Sequence, residues 1–395
     1  MSLKETEVYL DNSATTPVLP EIADKIRLVM TDEFGNPSSL HSRGLAAENL
    51  VTEARKNISQ ALGVREKEIF FTSGGTESNN LALISAAMSR RRKGDHIICS
   101  TIEHPSVLEV VKYLGQTGFK ADYCPVDSSG LVDPQNLAGL IRSDTILISI
   151  MMVNNEIGTI QPISNLVTVC KEKNPNIIFH SDCVQGVGKI PVNPHKTGVD
   201  LLSISAHKFH GPKGIGALYV KEGTLLKGLM LGGGQELGFR SGTENVPGIV
   251  GFGMAIKKAL QNQDQTANKM KSLKEHLLKL LDAYSLSYRI NGPSLSAAAP
   301  HILNLSIAGV RGEVLVRCLE AEKIYISTGS ACTSRKTRTS HVLRAIGLSD
   351  GQAEGSIRIS LSFLNTLEDM EYLAKALHES LKRFQPVKKG TQGHY

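Results

Sequence analysis

Residues 68–87, "EIFFTSGGTESNNLALISAA", decide the fold. Ile69, Phe70 and Phe71 form a short apolar run of strand character, broken at Ser73-Gly74-Gly75. From Ser78 onward the apolar residues recur at helical spacing. Strand, small-residue turn and helix follow directly on one another. Further strand-like runs succeed them: "HIICST" (96–101), "ADYCPV" (121–126), "TILISIMMV" (145–153), "IIFHSD" (177–182), "LLSIS" (201–205) and "GALYV" (216–220). Helical patterns lie between most of these, for example over 106–114 and 163–172. This alternation predicts an α/β protein with a mostly parallel central sheet covered by helices on both faces.

Working outward, a long helical pattern over 249–284 reads as a connector leaving the sheet. Beyond it, "HILNLSI" (301–307) and "SIRISLS" (356–362) read as strands, and a last helix is expected over 367–384. The expected division is a large α/β domain over 15–258 and a smaller α+β domain built from 1–14 and 259–395. The smaller domain carries a loop over 327–340 whose stretch "STGSACTSRK" holds Cys332 among small and basic residues.

With 395 residues, 41% of them hydrophobic and 21% charged, the chain has ample material for a core. A net charge of +6 is mild for this length and gives no argument for nucleic acid. Six cysteines, at 99, 124, 170, 183, 318 and 332, form no CxxC and no zinc-ligand spacing, so neither a metal site nor a disulfide framework is expected. The polar start "MSLKETEVYLDNSATTP" has no apolar signal core, and the longest apolar run, near 146–153, is too short to span a bilayer. A cytoplasmic protein without a membrane partner is expected.

In open α/β sheets ligands bind at the carboxyl ends of the strands. After "EIFF" comes the turn 72–78, whose backbone N–H groups suit an anion at a helix start. After "IIFHS" comes Asp182, a carboxylate closing a buried run. After "LLSISA" come His207 and Lys208, an amine that burial turns into a nucleophile for carbonyl compounds. "HIICST" is followed by Glu103-His104 and "TILISIMMV" by Asn154-Asn155-Glu156. Each alone has an ordinary explanation, such as a turn or an N-cap. Together they supply an anion cradle, an acid, a lysine, an imidazole and an amide, the set that pyridoxal phosphate requires. Other cofactors fail on spacing: "CVQGVGKI" has Cys183 where a P-loop needs its first Gly, and no G-x-G-x-x-G joins a strand to a helix.

"YLDNSATTP" (9–17), "FGNPSSLH" (34–41), "FTSGGTESNN" (71–80), "EHPSVLE" (103–109), "NNEIGTIQP" (154–162), "SISAHKFHGPKGIGALYV" (203–220), "GGGQELGFRSGTEN" (232–245) and "TGSACTS" (328–334) closely resemble the cysteine desulfurases. These are the NifS-like and IscS-like members of the class V aminotransferase group. The resemblance implies a fold type I pyridoxal-phosphate transferase, a homodimer with active sites at the subunit interface. It implies a Schiff base between Lys208 and pyridoxal 5'-phosphate, His104 stacked on the ring, Asp182 at the pyridine nitrogen and Gln185 at the ring hydroxyl. Gly75, Thr76, Ser205 and His207 would hold the phosphate, with Thr243 reaching it from the partner subunit. Asn155 would lie over the cofactor, and Arg358 with Asn36 would grip the substrate carboxylate.

The implied reaction takes L-cysteine to L-alanine and leaves the sulfur on Cys332 as a persulfide, with Lys208, His104 and Cys332 as catalytic residues. Arg335, Lys336 and Arg338 lie close to Cys332 in sequence and would favour its thiolate. The acceptor would be a sulfur-receiving protein such as an iron–sulfur scaffold or a tRNA-thiolation enzyme. The end "PVKKGTQGHY" does not resemble the longer extension that IscS-like enzymes use towards their scaffold, so that particular partnership is not expected from it. A selenocysteine lyase is the alternative on the same scaffold, and a class V aminotransferase a more distant one. The loop with Cys332 favours the desulfurase, because selenium chemistry depends less on an attacking thiol. Cys183 departs from the family's usual small non-thiol residue beside the ring, and the sequence leaves its reactivity open.

Overall fold

The computed structural model describes residues 7–328 and 339–384. Its strands, in chain order, are β1 (Val8–Tyr9), β2 (Ile69–Thr72), β3 (His96–Ser100), β4 (Lys120–Cys124), β5 (Thr145–Ser149), β6 (Ile178–Asp182), β7 (Leu201–Ser205), β8 (Gly216–Val220), β9 (Tyr288–Ile290), β10 (Ile302–Ile307), β11 (Ile324–Tyr325) and β12 (Ser356–Ser360). Seven of them form one sheet in the order β2-β8-β7-β6-β5-β3-β4. Only β8 runs against its neighbours; the ladders from β7 through β4 are parallel.

Alternation along these strands explains why both faces are covered. Ile98, Ile148, Phe179, Leu202 and Ala217 enter a core with the helices Ser42–Leu62, Ile163–Lys173 and Val246–Gln261. Ile97, Cys99, Leu147, Ile178, Leu201 and Leu218 face the opposite way, into a core with the helices Gly75–Arg90 and Pro105–Gln116. A sheet buried on both sides reads in sequence as nearly continuous apolar runs, and these strands do.

A second, antiparallel sheet has the order β12-β10-β9. Its core joins Leu303, Leu305, Ile357 and Ile359 to Leu273 and Leu277 of one helix and Leu373 and Leu377 of the last. β1 pairs in parallel with β11, and Asp11 bridges to Ser360 at the end of β12. The amino-terminal segment is thereby stitched to the smaller sheet before it crosses to the larger one.

Two sequence expectations change here. The single helical pattern over 249–284 is two helices, Val246–Gln261 and Gln263–Ala283, broken at Asn262 with φ −132° and ψ 34°. The first buries Ile249, Phe252 and Ile256 in the large-sheet core; the second buries Leu273 and Leu277 against the small sheet. One straight helix cannot serve both. The strand in the run 145–153 ends at Ser149; beyond it the Ile150 and Met152 N–H groups still donate to the His180 and Asp182 carbonyls (3.1 and 2.9 Å), while the Met151 N–H turns to Glu103 Oε1 (2.8 Å). Among the described residues no helix is long and apolar enough to cross a membrane.

Candidate active site

The turn after β2 is shaped by close approach. Gly74 has φ +148°, open to glycine, and caps the helix Gly75–Arg90. A Cβ on Gly75 would meet Val184 Cγ2 at 2.7 Å, and one on Gly74 would lie 3.8 Å from Ser205 Oγ. The first N–H groups of that helix have no intrahelical acceptor, so turn, helix end and Ser205 form a donor cradle fit for a phosphate. Thr76 lies exposed in the first turn; the cap is Gly74.

Asp182 closes β6. Its Oδ1 accepts the Val184 N–H (2.9 Å) and its Oδ2 accepts from Asn79 Nδ2 (2.7 Å). Asn79 Nδ2 also donates to Ser106 Oγ (2.8 Å), and Ser106 Oγ lies 2.8 Å from His104 Nδ1. His104 Nδ1 further accepts the Ser106 N–H (3.1 Å) as the cap of the helix Pro105–Gln116. A nitrogen that accepts an N–H carries no proton, so the neutral ring keeps its proton on Nε2. Burial lowers the His104 pKa, Asp182 opposes that shift, and the charges of Lys208 and His341 add to it.

Lys208 ends the turn after β7. Its Nζ donates to the carbonyls of Ser13 (2.6 Å) and Ala14 (2.8 Å). Gln185 Nε2 donates to the same Ser13 carbonyl (2.9 Å), and Gln185 Oε1 accepts from the buried His301 Nε2 (3.2 Å). His207 Nδ1 lies 3.1 Å from Thr15 Oγ1, and burial with the Lys208 and Lys213 charges pushes its pKa down to about 4.

Arg358 sits on β12 at 3% exposure. Strand alternation sets it opposite Ile357 and Ile359, on a face where an arginine is ordinarily solvated, and here that face too is buried. Its Nη2 donates to Asp11 Oδ1 (2.6 Å) and its Nη1 to the Asn155 carbonyl (3.0 Å). Its Nε, also buried, has no hydrogen-bond partner among the described residues. Asn154 fixes the turn that carries Asn155, its Oδ1 accepting from the N–H groups of Glu156 and Ile157 (2.9 and 3.0 Å). Asn36 and Thr243 lie exposed, and among the described residues neither hydrogen-bonds to this cluster. The segment of Thr243 is nonetheless tethered to the cradle, since Arg240 Nε donates to Glu77 Oε1 (2.8 Å) in the helix's first turn.

Cys332, Arg335, Lys336 and Arg338 fall outside the described residues. Both roots of their segment are described, and both rise at the site. Ser327 pairs through its backbone with Arg358 (2.6 and 3.2 Å). On the other side, Ser340 Oγ donates to Glu156 Oε2 (2.6 Å) and His341 Nε2 to the Glu103 carbonyl (3.0 Å). Glu103 is fully buried, its Oε1 accepting from Ser100 Oγ (2.5 Å) and Met151 N–H; burial pushes its pKa up to about 8. Cys183 is also fully buried, with Sγ 3.6 Å from Met152 Sδ, and burial holds its thiol far above the ordinary range. Its place is that of a packing residue, with the thiol kept protonated by burial.

Sequence reasoning missed Asp11, Asn79, Ser106 and His301. Asn79 was inside a quoted motif but on the helix, not at a strand end. Asp11 and the carbonyls of Ser13 and Ala14 serve from a segment whose chemistry only the chain crossing reveals. The amine, the acid, the glycine cradle, in which a side chain at Gly75 would press on Val184, and the neutral imidazole are the donor set that pyridoxal phosphate needs.

The model of the family described as aminotransferase class-V matches residues 8–373. The protein named cysteine desulfurase IscS from Dictyoglomus turgidum is 46% identical over 381 residues, covering 96% of each chain. A protein of the same name from Clostridium botulinum is 44% identical over 378 residues, 95% of each. Among solved structures, one titled "NIFS-LIKE PROTEIN" superposes with a TM-score of 0.90 at 41% identity, over 96% of this chain and all (100%) of that one. Another, titled "SspA in complex with cysteine", gives 0.80 at 36% identity over 91% of this chain and 100% of that one.

Proposed function

The chain belongs to the class-V aminotransferase family, and from that premise we propose that it is a pyridoxal-phosphate-dependent cysteine desulfurase. It converts L-cysteine to L-alanine and passes the sulfur to Cys332 as a persulfide. One observation carries the reading. Turns at the strand ends that carry Asp182, Lys208 and His104 receive the small sheet and the Cys332 segment. Arg358 bonds to the Asn155 carbonyl, Ser327 at one root pairs with Arg358, and His341 at the other bonds to the carbonyl of Glu103, next to His104.

Lys208 would hold the cofactor through its amine, Asp182 at the pyridine nitrogen, Gln185 at the ring hydroxyl, and His104 and Asn155 against the ring. Gly75, Thr76, Ser205 and His207 would hold the phosphate, with Thr243 of the partner subunit. When bound, the cofactor supplies an electron sink for negative charge at the substrate Cα. Arg358, with Asn36, binds the substrate carboxylate in a buried, low-dielectric place where the charge pair is strong. Once the substrate's amino group has taken its place, the released Lys208 amine, aimed by the Ser13 and Ala14 carbonyls, takes the Cα proton. His104 moves protons through Nε2, since Nδ1 is occupied by Ser106. The Cys332 thiolate then attacks the substrate Sγ. The Cβ–Sγ bond breaks, its electron pair stays on Cβ and collects a proton, and alanine leaves.

Homodimerisation is supported by four large apolar side chains left in solvent, Leu40 (105% exposed), Leu231 (87%), Leu237 (81%) and Leu225 (78%). Two of them, Leu231 and Leu237, lie beside or on the stretch that carries Thr243. The division into a domain over 15–258 and one from 1–14 and 259–395 follows the two sheets. A cytoplasmic place and delivery to an iron–sulfur scaffold or a tRNA-thiolation enzyme complete the proposal.

The test incubates holoenzyme and Cys332→Ala with L-cysteine, with and without a 2-oxo acid, and measures alanine and sulfide. Alanine without any 2-oxo acid, lost in Cys332→Ala, is expected. Undiminished alanine from Cys332→Ala would refute the persulfide route, and strict dependence on the 2-oxo acid would indicate transamination.

A further inference from the structure

Asp11 belongs to no group that the reaction above uses, yet its carboxylate touches the arginine on which substrate binding rests. The bland account is that the Asp11–Arg358 pair fastens the amino-terminal segment to β12. The backbone already does that. Ser360 N–H donates to the Leu10 carbonyl (2.7 Å), Asn12 N–H and Nδ2 to the Ser360 carbonyl (3.2 and 2.9 Å), and Ser13 N–H to Ser360 Oγ (2.9 Å). Against that tether the ion pair adds little attachment.

What it does add is aim. A guanidinium has five N–H donors in a rigid plane, and fixing two of its three nitrogens fixes the direction of the third. Asp11 Oδ1 holds Nη2 at 2.6 Å and the Asn155 carbonyl holds Nη1 at 3.0 Å. The Nε–H is left buried and without an acceptor among the described residues. A buried donor on a charged group, held open by its neighbours, is costly until an acceptor arrives. Arg358 is more deeply buried than Asp11, 4% against 20% side-chain exposure, so Asp11 is also its counter-charge.

We infer that Asp11 is a positioning residue for substrate binding: with the Asn155 carbonyl it holds the Arg358 guanidinium so that the Nε edge receives the carboxylate of the amino-acid substrate. The inference rests on the proposal that Arg358 binds that carboxylate. It predicts a selective effect. Removing the Asp11 charge weakens ligands that carry an α-carboxylate and leaves unchanged those that lack it.

The test uses holoenzyme of wild type, Asp11→Asn, Asp11→Glu and Arg358→Lys. It measures kcat and KM for L-cysteine, and the inhibition constant of cysteamine, which is L-cysteine without the carboxylate. Asp11→Asn keeps the volume and one acceptor oxygen; it is expected to raise KM about tenfold with kcat within about twofold. The cysteamine constant should stay within about twofold of wild type. Asp11→Glu, which keeps the charge, should hold KM within about threefold and remains informative if the Asn variant folds poorly. Equal weakening of cysteine and cysteamine, no change in either, or a Glu variant as impaired as Asn would overturn the inference. Arg358→Lys separates the premise. If it too fails to discriminate between the two ligands, the carboxylate does not bind at Arg358. If it discriminates and Asp11→Asn does not, only the role of Asp11 is lost.

Discussion

The two ends of the site are built differently. At the ring end, Asp182 closes a strand of one sheet, Lys208 and His104 follow strands of the same sheet, and the connecting Asn79 and Ser106 come from helices packed on it. At the carboxylate end, Arg358, Asp11 and the Asn155 carbonyl come from the small sheet, the amino-terminal crossing and the turn following β5. The ring end takes its acid, amine and imidazole from one layered unit, and the Ser13 and Ala14 carbonyls with His301 only buttress them from outside it. The carboxylate end exists only where three distant pieces of chain converge. Chemistry at the cofactor is thereby separated from recognition of the substrate, and changes at the two ends should read out in different kinetic constants.

Asn79→Ala is the larger way to break that comparison. It leaves Asp182 Oδ2 and Ser106 Oγ without their shared donor, so it disturbs the acid and the imidazole together. A fall in kcat of about tenfold to a hundredfold is expected, with cofactor affinity also weakened. Steady-state kinetics and cofactor titration check it. A rise in KM alone would place the effect at the wrong end.

Glu103 gives a pH dependence. Burial raises its pKa in the fold from 4.5 to about 8, so the native state holds more protons than the unfolded chain between those values. Its contribution to stability is fully present below pH 4.5 and is lost as pH rises towards 8. Glu103→Gln cannot ionise and should flatten this decline. Melting temperatures across that range measure it; parallel curves for the two proteins would remove the claim. Cys183→Ala is the smallest change. It should leave kcat and KM within about twofold, because the thiol is buried against Met152. A larger loss in kinetics would give Cys183 a chemical role.

The same contrast explains what the sequence made legible. The positions of Asp182, Lys208, His104 and the Gly74-Gly75 turn follow from strand ends, a local rule that needs no knowledge of packing. Asn79 was hidden because its partners lie 27 and 103 residues away and its helix position looks ordinary. Asp11 was hidden because nothing local marks a carboxylate after a two-residue strand as the partner of Arg358, 347 residues on. The break at Asn262 was missed because the polar stretch 261–266 contains no glycine or proline to mark it, although the facing core changes across it. Local chemistry is written in short stretches, and its assembly is written in contacts of long separation.

The central claim is that sulfur leaves L-cysteine by way of Cys332. The direct measurement is a single turnover of holoenzyme with equimolar L-cysteine, quenched by a thiol-blocking reagent and followed by mass analysis of the peptides. The account predicts one added sulfur atom on the peptide containing Cys332, formed in step with alanine. Alanine released in full with that peptide unchanged would contradict it.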